Sequence, residues 1–330
     1  MPLDPQPAVW RHSTRPHGCP SACALEVEVL SPERIGKVRG NRDNPYTAGV
    51  VCAKVARYAE RIHHPDRLLR PLIRRGEKGV GIEAFAPIGW DEALDLIAER
   101  FLEAERRFGP ETVWPYFYAG TMGHVQRDGI ERLRHVKRYS RQWSTICTTL
   151  AESGWLAGVG GKAGVDAREI AKSDLVVVWG GNPVNTQVNV MQHIATARKT
   201  RGAKLVVIDP YRTGTAEQAD LHLMVRPGTD GALAAAVVHL LFRDGHADRD
   251  YLARYSDLSP EIEAHFAAKT PEWAESVTGV PVAQIEAFAK LYGETKRSYM
   301  RVGYGFARGR NGASNLHAVS CLPTATAAWQ

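Results

Sequence analysis

Long hydrophobic runs are missing from this sequence. Its most apolar stretch, Ala232–Phe242, is about half of the ~20 residues that a membrane helix needs, and it reads as a buried helix instead. Met1–Ala8 carries no apolar leader, and Arg74-Arg75 lies too far in for a twin-arginine export signal, so the expected compartment is the cytoplasm. Cysteine is scarce: five in 330 residues, unevenly spaced, too few for a disulfide scaffold. Neither sign of charge dominates. The 42 Lys and Arg against 36 Asp and Glu leave +6, and the basic residues form no dense run, so no nucleic-acid partner is expected. With 44% hydrophobic and 24% charged residues, disorder and coiled coil are excluded as well. What remains is a globular chain long enough for about two domains.

Residues 9–60 hold three of the five cysteines and short β-prone pieces such as Glu26–Leu30. Arg34–Asn44, with Gly36, Gly40 and Asn41, reads as a turn-rich return toward Cys52. Such a segment has a thin core and leans on a metal centre or a larger neighbour. From Trp90 to Phe108 the pattern is helical: Leu94, Ile97, Phe101 and Phe108 share one stripe, Asp91 opens it and Gly109-Pro110 ends it. Thr112–Tyr118 reads as a strand.

The middle of the chain is more regular. Asp174–Trp179 is a continuous apolar strand, followed by the turn Gly180-Gly181-Asn182-Pro183, a helical stretch to about Arg201 and a second buried strand, Lys204–Ile208. This order predicts a right-handed βαβ unit with a parallel sheet. Leu221–Val225 and Ser298–Val302 add strands and Gly231–Phe242 a helix, so the class is α/β. In such sheets ligands sit beyond the carboxyl ends of the strands. After Asn315 the sequence turns small and apolar and stops at Trp329-Gln330 with no helix stop signal, which reads as an interrupted chain.

Three residues separate Cys19 from Cys23, and twenty-eight separate Cys23 from Cys52. Thiolates on a tight loop, joined by a distant one, suit an iron–sulfur or other metal centre. Buried structural cysteine is the plainer alternative, against which Gly18 and Pro20 argue for an exposed loop. Zinc would want four ligands, often in C-x₂-C pairs, so the spacing favours a cluster. Downstream, the glycines of Trp179–Thr186 let backbone amides approach a phosphate, although a plain strand-to-helix turn explains them equally in isolation. Asp209-Pro210-Tyr211-Arg212-Thr213 ends the next strand, where a carboxylate can bind ribose hydroxyls or a guanine edge. Arg226-Pro227-Gly228-Thr229-Asp230 supplies another turn and acid. Gly158–Ala163 satisfies G-x-G-x-x-A, but no strand precedes it, and Lys162 is not followed by Ser or Thr, so neither a nicotinamide site nor a P-loop is expected.

His12–Val29 and Asn41–Tyr58, with these downstream turns, resemble the molybdenum/tungsten bis-pterin oxidoreductases, the dimethyl sulfoxide reductase superfamily that includes formate dehydrogenases and periplasmic nitrate reductases. Members open with a [4Fe-4S] loop, often C-P-x-x-C-P-x-x-C with a later C-x-K. This chain reads Arg15-Pro16-His17-Gly18-Cys19-Pro20-Ser21-Ala22-Cys23, then Cys52-Ala53-Lys54. The resemblance makes Cys19, Cys23 and Cys52 cluster ligands and Lys54 the electron relay between cluster and pterin. Arg15 stands at the first ligand position, and a guanidinium has no lone pair for iron. Three outcomes stay open: a substitute ligand, with His12 and His17 as candidates, a three-iron centre, or no cluster.

The resemblance further implies that Gly181, Asn182, Pro183, Thr186, Asp209, Pro210, Thr213, Gly228, Thr229 and Asp230 grip the guanosine diphosphate half of one pterin of a bis-molybdopterin guanine dinucleotide cofactor. Gly305-Phe306-Ala307-Arg308-Gly309-Arg310-Asn311-Gly312 resembles the family's G-x-x-Q-H-x-x-G loop. Gly305 and Gly312 are in place, while Arg308 stands for Gln and Gly309 for His; arginine still bonds phosphate or pterin. A glycine-rich surface loop is the alternative. The family's protein ligand to Mo or W lies in a loop near Ile146–Ala157. Alignment puts Ala151, which has no donor, at that position, with Glu152, Ser153 or Cys147 available if the register shifts. Trp143 and Trp155 would line the pocket or its core.

By resemblance, then, residues 1–65 form an iron–sulfur subdomain, 66–150 the first part of an α/β domain and 151–330 a Rossmann-like dinucleotide-binding domain, with the C-terminal part of the family fold missing. The implied activity is two-electron redox or oxygen-atom transfer on a small-molecule substrate, with an electron-transfer partner protein or subunit. The alternative is a non-catalytic relative that binds a nucleotide or a partner.

Overall fold

The structure, a computed structural model, describes residues 8–15, 19–116, 124–143 and 146–329; at 124–128 and 146–147 it describes the backbone alone. Two compact units result, Met1–Trp143 and Ser144–Gln330.

The first unit opens with an antiparallel sheet of β1 (Val9–Thr14), β2 (Ala24–Ser31) and β3 (Arg34–Gly40), in that order. Cross-strand pairs hold its outer face: Glu26 faces Arg39, their side chains 2.7 Å apart, and the Arg39 guanidinium lies 3.9 Å from the Trp10 ring centre. The expected turn-rich return of Arg34–Asn44 is therefore a strand for its first seven residues. Gly36 does not break it, because glycine is needed there: a Cβ would come 2.3 Å from a carboxylate oxygen of Glu28, which accepts from the Lys37 amide at 2.9 Å. Two short helices follow, α1 (Ala53–Ala56) and α2 (Tyr58–Ile62), and with the sheet they enclose a small core of Cys23, Leu25, Val38, Val55 and Tyr58.

Beyond them lie the two-stranded sheet β4 (Leu72–Arg74) and β5 (Phe85–Pro87), then α3 (Trp90–Phe108) and α4 (His124–Lys137). Asp91 and Glu92 in the first turn of α3, and Arg106 and Arg107 in its last, complement the helix dipole. Gly109, at φ +89°, ends it. The strand expected at Thr112–Tyr118 does not form over its described part. Pro110–Thr112 is a 3₁₀ turn in which the Val113 amide donates back to the Pro110 carbonyl, 3.1 Å, and so is lost to any ladder. Tyr118 lies outside the described residues.

The second unit begins with α5 (Ile146–Val159), where a loop was expected. Two of its glycines pack against the later helix Gly312–Ala325: a Cβ on Gly154 would meet the Ala313 carbonyl at 2.2 Å, and one on Gly158 the Ser320 hydroxyl at 2.2 Å. Next come β6 (Leu175–Trp179), α6 (Pro183–Thr186), α7 (Val188–Arg201), β7 (Lys204–Ile208), β8 (Leu221–Leu223) and α8 (Asp230–Arg243). The chain continues through α9 (Arg249–Tyr255), α10 (Pro260–Ala267), α11 (Pro271–Thr278) and α12 (Val282–Glu294) to β9 (Ser298–Val302) and α13 (Gly312–Ala325).

The four strands form one parallel sheet in the order β8-β7-β6-β9. Every residue of β6 is fully buried, as a central parallel strand covered on both faces requires. Leu175, Val177, Trp179, Val206 and Ile208 pack with Leu233, Val237, Leu241, Phe288 and Leu316 into the main core. At the amino end of β6, Asp174 binds both Arg201, 2.7 Å, and Arg297, 2.9 Å, and so pins the strand between its neighbours.

Candidate functional site

The thiol site lies where β1 turns into β2. Arg15 donates its backbone N–H to the Cys23 carbonyl at 3.0 Å, adding a rung to the hairpin, and the Ala22 amide returns to the Cys19 carbonyl at 3.1 Å. Cys52 comes from later in the chain as the N-cap of α1; its backbone is extended and its thiol makes no capping bond. Cys23 is only 3% exposed and Arg15 only 8%. Burial pushes the Cys23 thiol up, the Arg15 guanidinium pulls it down, and Cys19 and Cys52 push it up.

Among the described residues, no three His, Cys, Asp or Glu side chains share one metal-ion position. In a cluster each thiolate takes a different iron, whereas a zinc ion draws its ligands to one point. The donor chemistry, three cysteine thiols of one small unit, fits an iron–sulfur group. Lys54 is exposed on α1. The His12 ring lies 3.0 Å from the Asn41 side-chain nitrogen, and His17 lies outside the described residues.

The second site is the carboxyl edge of the parallel sheet. The chain builds β6, β7 and β8 outward in one direction and then crosses to place β9 on the other side of β6. Strand order therefore reverses between β6 and β9, and such a switch point opens a crevice for a ligand. The loops at this point are joined by their backbones: Gly303 donates to the Trp179 carbonyl, 2.7 Å, and Gly305 to that of Gly180, 3.0 Å. Side chains would wedge them apart, since a Cβ on Gly303 would lie 2.3 Å from the Gly180 oxygen and one on Gly305 2.6 Å from it. Gly180 itself has φ +62°. Gly181 differs, because a Cβ there would meet nothing nearer than 3.6 Å.

Asn182 is held by the Thr215 hydroxyl, which donates to its side-chain oxygen at 2.7 Å and accepts the Val184 amide at 3.3 Å. Pro183 starts α6, and Thr186 donates back to the Asn182 carbonyl at 2.9 Å. Asp209, 7% exposed, directly follows β7; beyond a long 3.5 Å contact from the Tyr211 amide its carboxylate has spare acceptor capacity. Pro210 is exposed beside it, and buried Thr213 accepts the Ala216 amide at 3.1 Å. Asp230, 3% exposed, accepts from the Trp179 indole at 2.8 Å. Burial pushes both carboxyls up, and the charge of Asp209 adds to the rise at Asp230.

Asn311 donates to the Gly228 carbonyl at 2.7 Å, while Asn315 accepts the Gly231 amide at 3.0 Å. These bonds fix the Gly228-Thr229-Asp230 turn, in which Thr229 donates to the Arg226 carbonyl at 2.7 Å. Gly312 starts α13 so close to the Ala307 oxygen that a Cβ would come within 2.0 Å. Arg308 is exposed on the loop between them. Thr215, Asn311 and Asn315 were not expected from sequence. Each secures a loop distant along the chain, and no local pattern marks them.

Of the residues expected at the Mo or W position, Ala151 is buried in α5 within the main core. Glu152 pairs with Lys162 at 2.7 Å, and Ser153 donates to the Thr149 carbonyl of its own helix at 2.8 Å. The Cys147 side chain lies outside the described atoms. Trp143 is exposed, whereas Trp155 packs against the main core and edge-on to Trp329, ring centres 5.4 Å apart.

The sequence pattern described as molybdopterin oxidoreductase matches residues 67–330, and that of the molybdopterin oxidoreductase Fe4S4 domain matches residues 10–64. The probable oxidoreductase YoaE of Bacillus subtilis is 36% identical over 94% of this chain and 45% of its own length. The putative dimethyl sulfoxide reductase chain YnfE of Escherichia coli is 30% identical over 93% of this chain and 42% of its own. The chain thus spans less than half the length of these relatives. Acetylene hydratase from Pelobacter acetylenicus shares the fold, with a TM-score of 0.76 at 22% identity over 96% of this chain and 43% of that one. Among the described residues, no helix is long and apolar enough to cross a membrane. With its central sheet and its cysteine-bearing unit both inside matched regions, the chain belongs to the molybdopterin oxidoreductase family.

Proposed function

We propose that this chain carries the cluster-binding unit and one nucleotide-binding half of an oxidoreductase that uses bis-molybdopterin guanine dinucleotide with molybdenum or tungsten. The observation that most supports this reading is the reversal of strand order between β6 and β9, which gathers the Gly181 turn, the Gly305 loop and the buried Asp209 and Asp230 at one sheet edge. In this reading Asp209 accepts hydrogen bonds from a guanine edge or ribose hydroxyls. Gly181 lets the backbone approach a phosphate, and Arg308 offers it a charge. Asn182, Thr186, Thr213, Gly228 and Thr229 shape the loops, while Pro183 and Pro210 stiffen them. Cys19, Cys23 and Cys52 hold the cluster, and Lys54 is the relay position beside it.

When bound, the pterin-held metal supplies two-electron redox or oxygen-atom chemistry. Ala151 adds no donor, so in this reading the chain gives the metal no ligand of its own there, and its part is to orient and shield. A small-molecule substrate and an electron-transfer partner follow from the same reading.

Calorimetric titration of the purified chain with GDP tests it. GDP should bind and ADP bind more weakly, with Asp209→Asn losing about tenfold or more, as expected for one charge-assisted hydrogen bond. No difference between GDP and ADP, or between variant and parent, would sink the reading. A second reading, a non-catalytic nucleotide-binding module, is favoured by Ala151 and Arg15 together. Molybdenum or tungsten retained after expression with pterin supply would rule for the first, and its absence for the second.

A further inference from the structure

Arginine side chains seldom leave water, because desolvating a guanidinium is costly. Arg15 is nonetheless buried, and its backbone is fixed by the hydrogen bond to Cys23, so it is a built part of the thiol site. The sequence puts Arg15 at the first of four ligand positions and Cys19, Cys23 and Cys52 at the other three, where four donors would hold a cube of four irons.

We infer that Arg15 fills the fourth corner of this site, so that Cys19, Cys23 and Cys52 hold a three-iron cluster in place of a four-iron cube. The inference rests on the reading that these cysteines bind an iron–sulfur group, and it names which group. A guanidinium has no lone pair to bind iron and repels a cation at its corner. Its N–H groups are donors only, and sulfides and thiolates left without the fourth iron are acceptors for them. The negative charge of the cluster in turn offsets the cost of burying Arg15. Exchanging a thiolate for a guanidinium makes the site two charges more positive, which favours electron uptake and raises the reduction potential.

The test is anaerobic reconstitution of the whole chain with iron and sulfide, read by iron and sulfide analysis and by electron paramagnetic resonance. The parent should show an iron-to-sulfide ratio of about three to four and a signal in the oxidised state that is lost on one-electron reduction. Arg15→Cys should bring the ratio to about one to one, silent when oxidised and active when reduced. Arg15→Ala should keep three irons but titrate at a lower potential. Four irons in the parent would overturn the inference. So would a parent without cluster beside an Arg15→Cys variant with one, although the cysteine reading would then stand. If neither protein binds iron, both fall. Should Arg15→Cys fail to fold, the parent's own ratio decides.

Discussion

Around the three thiols the core consists of Cys23, Leu25, Val38, Val55 and Tyr58, so a proposed ligand is also a core residue. Behind the crevice of the other unit lies a much larger apolar core, with members from Ala151 to Ala325, to which Asp230 is tied through Trp179. The difference lies in what sets each site's shape. In the second unit, backbone contacts between glycine loops and buried side chains fix the crevice without any occupant. In the first, few apolar contacts do so, and small cores of this kind draw much of their folding energy from the group they bind.

The largest test of this contrast is removal of iron from the reconstituted protein with a chelator. Amide exchange in Ala24–Gly40 should speed up by about a hundredfold or more, with β6 and β7 unchanged, since metal binding and folding are coupled only where the metal binds. Equal loosening of both units would erase the distinction. Next, Gly312→Ala should cost about 3 kcal/mol, because its Cβ would meet a backbone oxygen at 2.0 Å, whereas Gly181→Ala should leave the denaturation midpoint within ~0.5 kcal/mol and weaken GDP binding instead. If both variants lose the same stability, the second site is not shaped as described.

Trp179→Phe should cost about 2 kcal/mol in urea unfolding, since it leaves the buried Asp230 carboxylate without its indole donor. Asp230→Asn sharpens the point through pH. Burial raises this carboxyl, so the fold disfavours its charged form: its favourable contribution is present below the usual carboxylate range and is lost as pH rises through the raised value. The variant should match the parent in acid and exceed it in thermal midpoint near neutrality; the reverse order would show that Asp230 is better charged than buried. The smallest effect, ~1 kcal/mol, is expected for Thr215→Val, which frees Asn182 without unpacking the sheet.

Strands β6 and β7 were legible in the sequence because inner strands of a parallel sheet are apolar nearly throughout, and α8 because its apolar run exceeds any strand. Asp209 and Asp230 were legible from position, as acids in turns that follow or precede such elements. Other features depended on contacts that sequence spacing does not encode. Gly36 looks like a turn residue, yet it lies inside β3 because Glu28 crosses over it. The resemblance implied a loop near Ile146–Ala157, yet the chain there is helix α5, and Gly154 and Gly158 are where α13 presses on it. In α3 the periodicity identified the helix but not its burial: Leu94 is 57% and Ile97 49% exposed. Asn311 and Asn315 escaped notice because the carbonyl and amide they bind lie on another loop.

The two hydrogen bonds that Gly303 and Gly305 donate to the end of β6 make the crevice rim a stitched seam rather than two separate flaps. Pressure on one side, from a phosphate at Arg308 or a bulkier residue at 305, must be felt at Asn182. Substitutions on the two sides of that seam should therefore not add in their effects on affinity, and a double-mutant cycle between Arg308 and Asn182 would carry an interaction energy although the two side chains belong to different loops.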